Sequence, residues 1–357
     1  MADHTPIEWT DATWNPITGC SVVSPGCTNC YAMKLAGTRM KNHPSRAGLT
    51  KDSKAGPVWT GEVRFNEQWL RQPLQWTKPR MIFVCAHGDL FAEGVPDEWI
   101  DKVFAIMTLA PQHTFQVLTK RAERMREYLM AADLLDRLTM TAWKTDQEEG
   151  ASWAADIHSG HCNGLPLSNV WLGVSVEDQP RADQRIPALL DTPAALRWIS
   201  AEPVLGYLDI EQYLRVIIRK PQSVGKSTNI NFEIVRHALD WVVVGGESGP
   251  GARPMHPDWA RSLRDQCAAA GVPFLFKQWG AWGKATPAPA GTAGDYALAP
   301  SVPESRGYGK SVFPIDAFPL QIEGLISPPA VLQRIGKKAA GRHLDGVLHD
   351  GFPERRA

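Results

Sequence analysis

The chain carries no net charge: 38 lysines and arginines meet 38 aspartates and glutamates in 357 residues. That balance excludes a protein held on nucleic acid by bulk charge, though not one with local basic patches. No apolar run reaches the length of a membrane span, so no segment reads as a transmembrane helix and no membrane partner is expected. The opening Met1-Ala2-Asp3-His4-Thr5-Pro6 lacks the basic and apolar regions of a secretion signal. Cysteine is scarce, with six residues, and without an export signal these are expected as free thiols in a reducing cytoplasm. Nucleotide-binding loops are missing as well. Gly245-Gly246-Glu247-Ser248-Gly249 has neither the spacing of a dinucleotide fingerprint nor a P-loop lysine. Gly225-Lys226-Ser227 ends like a P-loop, but Lys220 stands where its first glycine belongs. There is no nucleophile elbow, no His-Glu-x-x-His helix and no internal repeat.

What the chain does have is a concentration of its few cysteines. Half of them lie in Gly19-Cys20-Ser21-Val22-Val23-Ser24-Pro25-Gly26-Cys27-Thr28-Asn29-Cys30-Tyr31, spaced Cys-x6-Cys-x2-Cys. Pro25-Gly26 forces a turn before the second cysteine, so the three thiols are expected to converge on one point. Converging thiolates bind a soft metal or an iron–sulfur cluster. Three ligands leave a position open for chemistry, whereas a closed structural zinc site has four. The alternatives are a zinc site completed from afar by Cys85 or a histidine, a disulfide with one thiol left over, or three unrelated core cysteines.

Hydrophobic content of 43% and charged content of 21% are those of an ordinary globular protein, large enough for one big domain or two small ones. The 14 tryptophans read mostly as core or rim packing, with a few available to stack on a planar ligand. From Met81 onward short apolar runs alternate with amphipathic stretches. Met81–Ala86, Phe115–Leu118, Val170–Val174, Leu196–Ala201, Trp241–Val244 and Pro273–Phe276 read as strands covered on both faces. Helices are expected near 97–107, over 122–139, over 181–190 with a bend at Pro187, over 209–218, and after Pro257. A short strand is expected within 57–65. The pattern is that of a mostly parallel α/β architecture, as a partial or closed barrel or a doubly wound sheet.

Such folds place their sites where the strands end. The polar residues there are Asp89, Lys120, Ser175, Glu177, Glu202, Glu247 and Lys277. Some of these are expected to be only caps or salt bridges. The glutamates that follow apolar strands are the stronger candidates, because a half-desolvated carboxylate needs a partner.

Polar stretches at about 144–168 and 219–236 read as insertions in a barrel domain spanning 1–283. His158, His161 and Cys162 fall in the first and are read as loop residues rather than a metal site. An Ala/Pro/Gly-rich linker over 284–312 and a basic tail form a C-terminal extension, 284–357. The tail (Arg334, Lys337, Lys338, Arg342, Arg355, Arg356) and the segment after the cysteines (Lys34, Arg39, Lys41, Arg46, Lys51, Lys54) are either solvated faces or phosphate contacts.

Taken together, these segments resemble the phage and prophage proteins of uncharacterised function that carry a three-cysteine motif and are described as radical S-adenosylmethionine-like. The landmarks are Ile7-Glu8-Trp9-Thr10, Thr13-Trp14-Asn15-Pro16, the cysteine stretch, Leu118-Thr119-Lys120-Arg121, Trp171 to Glu177, Ser200-Ala201-Glu202-Pro203, Gly245 to Gly249, Phe276 to Gly280 and Gly336 to Arg342. The resemblance implies a partial barrel of parallel strands and a 4Fe–4S cluster on Cys20, Cys27 and Cys30. It also implies S-adenosylmethionine as cofactor, an electron donor, and a 5′-deoxyadenosyl radical that abstracts hydrogen from a substrate. The superfamily usually has three residues between its first two cysteines; this chain has six. Its glycine–glycine–glutamate segment holds the methionine amino group after an early strand. Gly245-Gly246-Glu247 comes late, so Asp89 is an alternative holder. Glu202 and Ser175 are candidates for ribose or methionyl contacts, and Tyr31, directly after the third cysteine, completes the cofactor-binding set.

Three functions compete on this reading. The first is a radical enzyme acting on a nucleic-acid base or nucleoside. The second is a zinc-stabilised binding module that acts with a partner protein or DNA and has no catalytic activity. The third is a hydrolase or transferase using Glu202 and Glu247 as acid and base, which needs those carboxylates close together.

Overall fold

The computed structural model describes residues 5–214, 238–284, 296–299 and 330–354. Its centre is a seven-stranded sheet of Ala12–Trp14, Met81–Val84, Thr114–Thr119, Val170–Ser175, Leu196–Ala201, Trp241–Gly245 and Phe274–Gln278, side by side in chain order. Every neighbouring pair is parallel. Each connection therefore steps to the next strand in one direction, and the sheet curls into a half-barrel. The first and seventh strands do not pair with each other, which makes it the partial rather than the closed form of the expected barrel.

Side chains alternate across a strand, so each strand feeds two cores. Trp9, Trp171, Trp198, Trp241, Val243 and Leu275 pack together on the concave side. The opposite side, with Ile82, Val84, Val117, Leu172, Ile199, Val242 and Phe276, meets the helices Asp97–Thr108, Ala122–Leu129, Gln179–Asp191 and Pro257–Ala270. Four indoles fill the closed end of the half-barrel and leave the strands' C-terminal ends open. At about 150–250 Å² and 25 cal/mol/Å², each contributes roughly 4–6 kcal/mol of gross apolar burial. Gly173 makes this packing possible: a Cβ there would stand 2.5 Å from the Trp198 ring.

Several local expectations need correction. The strand expected within 57–65 is two: Gly56–Trp59 pairs with Thr50–Ser53, and Val63–Phe65 pairs with Ile17–Gly19, with Gly61 at φ +92° between them. Helix 122–139 breaks into Ala122–Leu129 and Leu134–Thr145. Pro187 does not end its helix, which runs from Gln179 to Asp191. The polar stretch at 144–168 contains a helix, Gln147–Ser159. The Asp146 side chain caps it by accepting from the Glu149 amide, and Gly150 lets it sit against the backbone of Trp143. Helix 209–218 is seen as Glu211–Leu214, and the segment 219–236 lies outside the described residues, as does most of 284–312.

The C-terminal residues return to the sheet. Ala330–Arg334 pairs with Trp282–Lys284 and with Tyr296–Ala299. Phe276 N–H donates to the His349 carbonyl at 2.9 Å, and Trp241 Nε1 donates to the Gly351 carbonyl at 2.8 Å. No helix among the described residues is long and apolar enough to cross a membrane.

Candidate functional site

The cysteine stretch folds locally for reasons its residues supply. Pro25 starts a single 3₁₀ turn, Pro25–Cys27, closed by the Cys27 amide on the Ser24 carbonyl at 2.9 Å. Cys30 is the N-cap residue of the helix Tyr31–Gly37, and its carbonyl accepts from Lys34 at 3.1 Å. Cys20 follows the short strand Ile17–Gly19. Gly19 has φ +96°, and a Cβ there would stand 2.2 Å from the Glu62 carbonyl oxygen.

Three buried charged groups tie this loop to the open rim of the half-barrel. Glu177, at the end of the fourth strand, accepts from Ser24 Oγ at 2.8 Å and pairs with Lys120 at 3.1 Å and Arg185 at 3.0 Å. Gly26 lies against that carboxylate, where a Cβ would be 2.4 Å from Glu177 Cγ. Glu247, after the sixth strand, accepts from Asn29 Nδ2 at 2.9 Å while Arg253 holds both its oxygens. Arg121, after the third strand, donates to Cys20 Sγ at 3.4 Å and to the Ser21 carbonyl at 3.1 Å. Two glycines let Glu202 and the Trp279 backbone close on this strand end. A Cβ on Gly245 would stand 2.6 Å from Glu202 Oε1, and one on Gly246 would stand 2.0 Å from the Trp279 carbonyl.

The result is a cavity of about 470 Å³ at the strand ends. Cys20, Cys27, Cys30, Tyr31, Asp89, Ser175, Glu202 and Glu247 all line it and so share one space. Lys120 and Lys277 line it too, whereas Glu177 is fully buried behind the wall. The Tyr31 phenol donates to the Ala86 carbonyl. Asp89 is a fixed strut. Oδ1 accepts from Thr119 Oγ1 (2.7 Å) and Phe91 N (3.0 Å), and Oδ2 from Lys120 N (3.1 Å) and Arg121 Nη1 (3.2 Å). Glu202 accepts from Ser200 Oγ at 3.2 Å and pairs with Lys277 Nζ at 3.0 Å, half-open to the cavity. An acid–base couple of Glu202 and Glu247 finds no support here, because each carboxylate is engaged by its own cation.

The electrostatics follow from burial. Desolvation pushes the Cys20 thiol up to about 12; Asp89 adds to this and Arg121 opposes it. Burial also raises Cys30, against hydrogen bonds from Met33 and Ala32 and the charge of Lys120. Both are therefore protonated at neutral pH unless a cationic centre replaces the proton. For Glu177, burial alone acts upward, but Lys120, Arg185 and Ser24 together hold the carboxyl below its usual range.

The thiols do not meet at one point as expected. Among the described residues no group of three or more His, Cys, Asp or Glu is placed to hold a single metal ion, and His158, His161 and Cys162 form none either. A tetrahedral zinc with 2.3 Å bonds needs its sulfurs within about 4 Å of one another. A cluster several atoms across holds its cysteines farther apart. Cys20, Cys27 and Cys30 line one cavity without single-ion spacing.

Sequence reasoning passed over Ser24, Asn29, Arg121, Arg185 and Arg253, the groups that connect the loop to the rim. Their partners lie from 6 to 218 residues away in the chain. Of the basic segment 31–54, Arg46 is buried on Ser45 and His87, Lys34 holds Asn29 and the Pro250 carbonyl, and Lys41 pairs with Asp52.

Fold and site thus define a parallel α/β half-barrel protein with a three-cysteine cavity at the C-terminal ends of its strands. The chain belongs to the family described as protein of unknown function (DUF5131), which matches residues 4–353. Neither a curated protein nor a solved structure matches it.

Proposed function

We propose that the protein is a radical S-adenosylmethionine enzyme that binds a 4Fe–4S cluster through Cys20, Cys27 and Cys30 and acts on a nucleic-acid base or nucleoside. The observation that carries this reading is the position of those cysteines, together at the open end of a parallel half-barrel and facing a cavity large enough for a nucleoside-sized ligand. Held by Cys20, Cys27 and Cys30, such a cluster would supply the one-electron reductive cleavage of the S-adenosylmethionine sulfonium, drawing its electron from an external donor.

The chain's own residues bind, orient and exclude water. Glu177, Glu247 and Arg121 fix the loop from three strand ends, so the cysteines keep their places when the cavity fills. Glu202 and Lys277 offer an anion and a cation within 3.0 Å of each other, a match for the ammonium and carboxylate of an amino acid. Phe83, Leu118 and Trp9 make the inner wall apolar, which keeps water from a reactive intermediate.

Anaerobic reconstitution with iron and sulfide, followed by reduction with dithionite in the presence of S-adenosylmethionine, tests the reading. The expected product is 5′-deoxyadenosine, detected by mass spectrometry. A fully loaded, reduced protein that forms none overturns it.

A further inference from the structure

Three stretches of the chain contain no acidic residue: 12–51, 248–257 and 330–344. In a protein whose charges balance overall, that is an uneven distribution. The three meet on one turn beside the cavity. The Ala252 amide reaches the Gly249 carbonyl at 3.2 Å, with Pro250 and Gly251 (φ +76°) as the central pair. Arg334 Nη2 donates to the Gly249 carbonyl at 3.0 Å, Lys34 Nζ to that of Pro250 at 2.9 Å, and Asn29 Nδ2 to that of Gly251 at 2.9 Å. Ser248, just before the turn, lines the cavity, as do Asn29 and Lys337. Lys337 and Lys338 follow Arg334 by three and four residues and are both exposed.

The charge of this rim is not spent on the wall. Asp89 is matched by Arg121, Glu202 by Lys277, Glu247 by Arg253 and Glu8 by Lys337. Lys34 instead rests on neutral oxygens, those of Pro250 and of the Asn29 side chain, the latter at 3.0 Å. Among the described residues no ion pair neutralises Lys34 or Lys338. Their charge adds to the field at the mouth, which draws an anion.

An aromatic ring accompanies these cations. Tyr31 stands three residues before Lys34 in the helix Tyr31–Gly37, so the two are neighbours on one face, with Cβ atoms about 5–6 Å apart. Tyr31 lines the cavity and is 55% exposed, while its phenol is tied to the Ala86 carbonyl. A fixed hydroxyl with an open ring is a stacking surface. Rings that stack on bases, next to cations that track phosphates, are how proteins hold single-stranded nucleic acid. An acidic peptide would use the cations but not the ring, and a duplex keeps its bases stacked away from it.

We infer that the rim formed by Lys34, Arg334, Lys337 and Lys338 holds the phosphate backbone of a single-stranded nucleic acid while Tyr31 stacks on one of its bases. This deepens the proposed reading and rests on it for the reaction: the substrate is a nucleotide within a strand, not a free nucleoside.

The test is fluorescence anisotropy of short labelled single strands, one DNA and one RNA, with the anaerobically purified full-length chain. The same sequence as a duplex and polyglutamate of matching charge serve as competitors. At least one single strand is expected to bind saturably, more tightly than either competitor. Its log affinity is expected to fall against log salt with a slope of about −2 to −3, from about three or four phosphate contacts. Lys34→Gln and Lys338→Gln are each expected to weaken binding about 2- to 5-fold and to flatten the slope by about 0.7. Tyr31→Leu is expected to weaken it about 5-fold or more at unchanged slope, and Tyr31→Phe to leave it unaltered. Lys144→Gln, on the helix Leu134–Thr145 that packs against Asp97–Thr108, is expected to change neither. The slope and the strand preference are read on the unaltered protein, so a variant that fails to fold leaves the test intact. No saturable binding, equal binding of duplex or polyglutamate, or an affinity untouched by both Lys338→Gln and Tyr31→Leu overturns the inference. 5′-Deoxyadenosine is assayed separately without a strand. Strand binding by a chain that forms none counts against the radical reading alone, and its formation by a chain that binds no strand counts against this inference alone.

Discussion

Arg121 Nη1 donates to the sulfur of Cys20 at 3.4 Å, and the same nitrogen lies 3.2 Å from Asp89 Oδ2. A buried aspartate thus aims a buried guanidinium at the first cysteine of the motif. Both side chains are 6% exposed. Arg121→Leu is expected to leave Asp89 buried and uncompensated, at about 3 kcal/mol in urea unfolding. Arg121→Lys retains a charge but not the fork. In protein loaded with a cluster it is expected to shift the reduction potential to a more negative value, measured by redox-poised absorbance. An unchanged potential would contradict a direct role of this contact.

Gly26 and Glu177 give a second check. A methyl group on residue 26 has nowhere to go while Glu177 stays on Lys120 and Arg185. Gly26→Ala is expected to cost about 2–3 kcal/mol and to loosen the 24–30 loop. Ser24→Ala, which removes only one hydrogen bond to the carboxylate, is expected to cost less. Equal stabilities for Gly26→Ala and the unaltered protein would contradict the packing described.

Asn29 links the loop to the sixth strand's end through Glu247 and to the Gly251 carbonyl at 2.9 Å. Asn29→Ala is expected to raise amide exchange in residues 27–31 while global stability falls by about 1–2 kcal/mol. Exchange confined to other segments would show that this tie does not hold the cysteines.

The pH dependence has a defined sign at His87. Its ring accepts from Arg46 Nη2 at 2.6 Å, and burial together with that charge lowers its pKa from 6.5 to about 4. The unfolded chain therefore takes up this proton first, and stability falls as pH drops from about 7 toward 4. Between pH 7 and pH 5 the contribution reaches up to about 2 kcal/mol. His87→Asn, which keeps an acceptor for Arg46, is expected to flatten the denaturation-derived stability slope in that window. An unchanged slope would assign it to other groups.

Six of the sheet's seven strands were legible because strands covered on both faces are written as continuous apolar runs, such as Trp241–Val244; the first, Ala12–Trp14, was not, because three residues set no run. The rim was legible for the same reason: Ser175, Glu202 and Lys277 each interrupt or follow such a run. The helix Gln147–Ser159 was not, because much of its surface is solvated and its apolar residues set no clear period. The convergence of the cysteines was overstated, since Pro25-Gly26 fixes only the turn beside Cys27 and says nothing about how far Cys20 stands away. The loop's ties to Arg121 and Glu247 were invisible to spacing, because both partners come from other strand ends.

The central claim is that these three cysteines hold one iron–sulfur cluster. Iron, acid-labile sulfide and zinc, measured per chain after anaerobic reconstitution of the unaltered protein and of Cys20→Ala, Cys27→Ala and Cys30→Ala, test it most directly. The account expects about four iron and four sulfide in the unaltered protein, with the brown chromophore lost in each variant. One zinc per chain without sulfide, or iron and sulfide retained when any of the three is removed, would contradict it.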